Sequence, residues 1–134
     1  MVVLKGVPAL LSPELLYALA RMGHGDEIGL GIPKLLEALL KLLPLDSPAV
    51  VMKLVPSDQE RGLRTTVWED YEFLLLQAGY TSTLAKIERF QFYERAKKAF
   101  AVVATGEPEL YGSIILRKGT IALGSQFEPW CRLL

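Results

Sequence analysis

The chain has 134 residues, of which 51% are hydrophobic and 22% charged, and its 15 basic side chains balance 15 acidic ones. This length is typical of a single domain, so we expect one domain over residues 1–134 with one compact core. A neutral chain has no excess of positive charge to release counterions from a phosphate backbone, which argues against a nucleic-acid partner. The mean hydropathy of +0.27 excludes a disordered chain.

Cysteine usage and the lengths of the apolar runs indicate the compartment. Cys131 is the only cysteine, so the internal disulfide that is common in small secreted domains cannot form. The N-terminal segment has Lys5 and Pro8 where a secretory signal would be apolar. No apolar run approaches the roughly 18 residues that cross a bilayer. We therefore expect a cytoplasmic protein that does not enter the membrane.

Capping signals and apolar spacing predict four helices. Ser12 is typical of an N-cap because a proline and a glutamate follow it, and Gly23 is expected to end the first helix. Thr66 and Glu69 have the spacing of a capping box for the third helix, which should end at Gly79. The predicted helices cover residues 12–23, 33–44, 66–79 and 92–99.

Short runs rich in branched side chains alternate with these helices and predict strands. They have the length of buried strands, and turn residues such as those at 56–58 and 105–108 flank them. Strands that are apolar over most of their length and alternate with helices are typical of an α/β domain with a mainly parallel sheet covered by helices. The predicted strands cover residues 49–55, 84–89, 100–104 and 113–116.

His24 is the single histidine of the chain, and it stands between two glycines directly after the first predicted helix. A lone histidine is most often a structural or surface residue. The flanking glycines allow close approach of a ligand, however, and an imidazole with an unperturbed pKa of about 6.5 can transfer protons near neutral pH. Metal binding is not expected, because no second histidine exists and the cysteine is alone.

A second group of candidate residues follows in the last third of the chain. The aromatic run at 90–93 can be core or can cover a site, and Tyr111-Gly112-Ser113 places a phenol and a hydroxyl at the start of a predicted strand. Gly112 would let a hydroxylated ligand approach the backbone. These residues alone do not select a reaction.

Five longer motifs stand out in the chain: LSPELL at 11–16, MGHGDEI at 22–28, RFQFYERA at 89–96, TGE at 105–107 and YG at 111–112. Together they resemble the fucose mutarotase and ribose pyranase family, and the resemblance extends over nearly the whole chain. It implies a ribose pyranase-like α/β fold and an enzyme that interconverts the α and β anomers of L-fucose. It further implies that no cofactor or metal is used, and that the sites lie where subunits of a homo-oligomer meet.

The resemblance also implies roles for individual residues. His24 matches the histidine that donates a proton, and Asp46 matches an aspartate that binds the sugar. Met52 matches a methionine of the pocket, while the tyrosines of the family that hold sugar hydroxyls correspond to Tyr93 and Tyr111. Ser113 stands where the family has an asparagine, and we include it as a further candidate for sugar binding.

The sequence departs from the family pattern after Ile28, where it continues directly into residues 29–33. About two dozen residues are absent there, which is more than a typical strand and its loop, and a site aspartate is absent with them. If the lost strand paired inside the sheet, its neighbours would lack hydrogen-bond partners. The tail at about 124–134 also diverges. The alternative to an active isomerase is therefore a catalytically impaired sugar-binding or oligomer-interaction form of the same fold.

Overall fold

The computed structural model describes residues 5–46, 48–63, 65–81, 83–105 and 111–120. The divergent tail, Cys131 and the segment 106–110 lie outside these residues. In chain order the elements are α1 (Pro13–Arg21), β1 (Glu27–Leu30), α2 (Pro33–Leu40), β2 (Val50–Met52), α3 (Pro56–Glu60), α4 (Thr66–Gln77), β3 (Ala85–Ile87), α5 (Arg89–Lys98), β4 (Ala101–Val102) and β5 (Ile114–Arg117).

Within the described residues, the strands form one five-stranded sheet in the order β3-β2-β5-β1-β4. The β1–β4 and β2–β3 pairs are parallel, whereas β5 is antiparallel to both of its neighbours, β1 and β2. The α/β class is confirmed, and β1 to β4 run in one direction. The expectation of a mainly parallel sheet is nevertheless corrected to a mixed sheet, because the one reversed strand lies at the centre.

Strand β1, which lies between β5 and β4, is paired on both sides despite the shortened segment. Ile28 pairs with Leu116 of β5 on one side and with Ala101 of β4 on the other. The residues that follow Ile28 thus complete the strand. Ile32, between β1 and α2, has a φ of 56° and is the one non-glycine residue with positive φ in the described part of the chain. The backbone is strained at this short connection.

The sheet is covered on both faces, as the apolar strands predict. On one face, alternate residues of the strands, such as Ile28, Val51 and Ile114, are buried against side chains of α1, α2 and α4. On the other face, Val50 and Ile115 pack against Phe92 of α5. The core therefore has two parts separated by the sheet.

The helix ends follow the predicted capping chemistry with one exception. The Ser12 hydroxyl accepts a hydrogen bond from the Leu15 amide at 3.1 Å, which confirms the N-cap of α1. Gly79 has a φ of +88° just beyond α4, as a C-terminal glycine should. The predicted capping box at Thr66 is wrong: the N-cap is Thr65, without a side-chain capping bond. The helix starts earlier because the Thr65 carbonyl already accepts from an amide of its first turn.

Candidate functional site

His24 lies on a tight turn between α1 and β1. The side chain of Asp26 accepts a hydrogen bond from the Gly23 amide at 2.7 Å, and the Asp26 amide donates to the Gly23 carbonyl at 3.0 Å. Gly25 has a φ of +89°, which favours glycine at this position. The turn thus forms from local hydrogen bonds and projects the imidazole outwards, with 57% of the side chain exposed.

Lys118, just beyond β5, fixes this turn through its backbone and its side chain. Its carbonyl accepts from the Gly25 amide and its amide donates to the Asp26 carbonyl, both at 2.8 Å. Its ammonium donates to the carbonyls of Leu19 and Met22, at 2.8 and 2.7 Å, where α1 ends. A cation is favourable at that end because the last helical carbonyls are partly negative. No local pattern in the sequence indicates this role, because Lys118 is more than ninety positions from the turn along the chain.

Asp46 is the residue that the structure brings to His24. The imidazole Nε2 and the carboxylate Oδ2 are 3.2 Å apart, and both side chains are about half exposed. The Asp46 amide donates to the Arg117 carbonyl, and Gly119 lies against the backbone of Leu45. The end of β5 therefore positions both members of the pair. A carboxylate at this distance can orient the imidazole. We call this region the histidine end of the sheet.

Tyr93 and Ser113 lie at the opposite end of the sheet, in a groove of about 340 Å³ between α5 and the strands. Tyr93 is 42% exposed, and the guanidinium of Arg89 lies 5.9 Å from the centre of its ring. The half-buried Met52 ends β2 at the same end of the sheet. A larger cleft of about 540 Å³ between α2 and α4 contains none of the predicted site residues.

Tyr111 also lies at this second end, but it is buried, with only 5% of its surface exposed. Its hydroxyl donates to Oδ2 of Asp58 at 2.5 Å and accepts from the Val55 amide at 3.3 Å. The hydrogen bond to Asp58 and burial raise the pKa of the Tyr111 phenol above its ordinary value. Sequence reasoning missed Asp58, because only the fold brings α3 to the start of β5. We call the region of Tyr93, Tyr111, Ser113 and Met52 the tyrosine end.

The two ends are separated by the length of the strands. His24 and Asp46 lie beyond Glu27 and its partner Arg117, whereas Ser113 lies beyond the other end of the same strand pair. Four residues of strand span roughly 10 Å, so one chain does not bring the six candidates into one pocket. Among the described residues, no group of three or more His, Cys, Asp or Glu could hold a metal ion. In the same residues, no helix is both long and apolar enough to span a bilayer.

A family model described as the RbsD / FucU transport protein family matches residues 29–121. The chain belongs to this family. The match covers β1 from Gly29 onwards, both faces of the sheet and the tyrosine end. It begins directly after Ile28, at the position where the sequence departs from the family pattern.

Similar proteins within the family carry consistent names. The chain is 65% identical over 150 residues to the fucose mutarotase of Homo sapiens, covering 92% of this chain and 97% of that protein. It is 60% identical over 151 residues to the fucose mutarotase of Mus musculus, covering 92% and 99%. Both alignments are longer than the 134 residues of this chain. The relatives therefore contain internal residues that this chain lacks.

Solved structures of RbsD / FucU relatives share the fold. The structure of a fucose mutarotase in complex with L-fucose, from Streptococcus pneumoniae, has a TM-score of 0.80 and 38% identity, and the match covers 88% of this chain and 99% of that one. RbsD of Bacillus subtilis complexed with D-ribose has a TM-score of 0.63 and 20% identity, covering 83% and 95%. At that identity the second comparison shows the fold alone.

Proposed function

We propose that this chain interconverts the α and β anomers of L-fucose, without a bound cofactor. The observation that carries the proposal is the His24–Asp46 pair, whose side chains are 3.2 Å apart and about half exposed to solvent. The names of the mammalian relatives and the L-fucose bound by the Streptococcus pneumoniae neighbour support the choice of sugar. A cytoplasmic location, expected from the single cysteine, belongs to the same proposal.

The reaction needs only proton transfers. Removal of the proton of the anomeric hydroxyl and protonation of the ring oxygen open the ring, the aldehyde carbon rotates, and the ring closes on the other face. His24 is the proton donor to the ring oxygen, and water at this half-exposed pair accepts the proton of the anomeric hydroxyl. Asp46 holds the imidazole and binds a sugar hydroxyl. Acid–base assistance of this kind contributes roughly 10²- to 10⁴-fold to a rate.

A complete site requires a second subunit in this proposal. The hollow beside Asp46 has about 120 Å³, whereas ligand pockets typically have about 300 to 1,000 Å³. The groove with Tyr93 and Ser113 is larger but contains no acid–base residue from the histidine end. A homo-oligomer in which the histidine end of one subunit faces the tyrosine end of the next would join the two sets.

Saturation-transfer NMR between the two anomeric protons of L-fucose tests the proposal. We expect transfer above the buffer rate, and we expect His24→Ala to remove it because the proton donor is lost. Gln77→Ala, a change of an exposed residue in α4, is the control and should retain exchange. A folded, discrete oligomer that leaves the anomers at the buffer rate would overturn the proposal. D-ribose in the same assay tests which sugar is preferred.

A second candidate is a sugar-binding or subunit-interaction form without turnover. The absent internal segment favours it, because the family's additional site aspartate would lie there. This form binds L-fucose, but its exchange stays at the buffer rate with or without His24. Binding and exchange measured on the same preparation therefore separate the two functions.

A further inference from the structure

Asp58 does not take part in the proton transfers of the proposed reaction. It contacts Tyr111, which is the most buried of the candidate sugar-binding side chains. Its Oδ2 accepts a hydrogen bond of 2.5 Å from the hydroxyl of Tyr111. We propose that Asp58 is a positioning residue that fixes the Tyr111 hydroxyl as a hydrogen-bond acceptor for a hydroxyl of the sugar. This inference rests on the proposed function, because it requires that the chain bind L-fucose.

The hydrogen-bonding capacity of the phenol leads to this role. A tyrosine hydroxyl has one proton to donate and two lone pairs that accept. The proton of Tyr111 points to Asp58, and the Val55 amide donates to the oxygen at 3.3 Å. One lone pair is left, so the hydroxyl can only accept from a ligand. Without Asp58 the same hydroxyl could donate or accept, and its preference for a sugar O–H would be lost.

The backbone around Tyr111 is fixed independently of Asp58. The indole of Trp68 donates to the Tyr111 carbonyl at 2.9 Å, and the Tyr71 hydroxyl donates to the Gly112 carbonyl at 2.5 Å. Both donors belong to α4, and their side chains lie in the same core cluster as Tyr111. Because these two bonds hold the main chain, the torsion that still needs to be fixed is the rotation of the phenolic O–H. The hydrogen bond to Asp58 determines that rotation.

The charged groups around Tyr111 and Asp58 favour a neutral Tyr111 phenol that donates its hydrogen bond to Asp58. The bond to Asp58 and burial raise the pKa of Tyr111, while a backbone amide and the positive charge of Arg89 act in the opposite direction. The side chain of Asp58 is 16% exposed, and Arg61 lies 3.8 Å from its other oxygen. Tyr111 therefore keeps its proton at neutral pH.

Three variants of α3 test the inference through the dissociation constant of L-fucose, measured by NMR titration of the full oligomer. Asp58→Ala removes the acceptor, and we expect L-fucose to bind about tenfold more weakly, the factor for one hydrogen bond of moderate strength. Asp58→Asn retains an oxygen that accepts from the phenol, so binding should return to within about threefold of the original chain. Glu60→Ala, an exposed carboxylate in the same helix, is the matched control and should leave binding unchanged.

A double-mutant cycle separates positioning from a general effect on the fold. If Asp58 acts through Tyr111, Asp58→Ala adds no further loss of affinity to Tyr111→Phe, which already lacks the hydroxyl. Labelling the Cζ carbons of the five tyrosines gives a second readout. The Tyr111 resonance, assigned with Tyr111→Phe, should begin to titrate at lower pH in Asp58→Ala than in the original chain.

Each outcome has a distinct meaning. Unchanged L-fucose affinity in Asp58→Ala, or losses that add in the double variant, would overturn the positioning role. Weaker binding in that variant with no exchange in the original chain would support the role while contradicting the proposed isomerase. Failure of the original chain to bind L-fucose would overturn both.

Discussion

Gly119 shows how one small residue positions the acidic member of the candidate pair. A Cβ built at this position would lie 2.9 Å from the backbone carbonyl of Leu45, directly before Asp46. Such a contact is tighter than packed atoms tolerate, and the neighbour is main chain that cannot rotate away. The end of β5 and the Asp46 segment can approach this closely only with glycine at position 119.

We predict that Gly119→Ala lowers the free energy of unfolding by roughly 1 to 3 kcal/mol, because the backbone must shift. The shift moves Asp46 relative to His24, so anomer exchange should also fall. Gly29→Ala is the control for stability: its Cβ would meet Val102 at an ordinary 3.8 Å. Urea unfolding of both variants measures the difference. Equal losses for the two alanines would contradict the proposed clash.

At the scale of elements, an ion pair joins α5 to the strand that follows the His24 turn. The Arg95 guanidinium donates two hydrogen bonds to the Glu27 carboxylate. The side chain of Glu27 is 16% exposed and that of Arg95 37%. A partly buried carboxylate that loses its partner retains the cost of its desolvation. This pair therefore fixes α5, and Tyr93 with it, to β1.

We predict that Arg95→Met lowers the free energy of unfolding by about 1.5 to 3 kcal/mol, the range for hydrogen bonds to charged groups. Adding Glu27→Gln should recover part of that loss, because no charge is then left unpaired. Lys97→Met in the same helix breaks an exposed pair with Glu94 and should cost no more than about 0.5 kcal/mol. Thermal or urea unfolding checks the series, and a loss in Lys97→Met as large as in Arg95→Met would refute the distinction.

The elements that were predicted correctly are those with local signals. The Ser12 cap, the proline starts at 13 and 33 and the glycine at 79 each act within one helical turn, so their chemistry is readable along the chain. Strand β1 was not predicted, because its pairing with β5 and β4 depends on residues distant in sequence. The reversed direction of β5 has the same origin: strand orientation is set by tertiary contacts and leaves no periodicity of its own.

At the scale of the whole molecule, the site also contains residues that local sequence signals identify and residues that only the fold brings together. The two flanking glycines make His24 a candidate from the sequence, and the family resemblance indicates Asp46. The structure places Asp46 beside His24. Asp58 and Lys118 carried no local signal, since each acts on a side chain or turn more than fifty positions away. The separation of the histidine end from the tyrosine end also follows only from the strand directions.

A site shared between subunits makes a quantitative prediction for mixed oligomers. His24→Ala keeps the tyrosine end, whereas Tyr93→Ala keeps the histidine end, so each variant alone lacks one half of every site. In a randomly assembled equimolar mixture with head-to-tail contacts, about one quarter of the interfaces pair two intact halves.

We therefore predict that unfolding and refolding the two variants together restores about one quarter of the original anomer exchange, measured by saturation-transfer NMR. The double variant refolded with an equal amount of either single variant is the control, because no interface in that mixture contains both intact halves. Activity that only averages that of the two single variants would place the whole site within one chain.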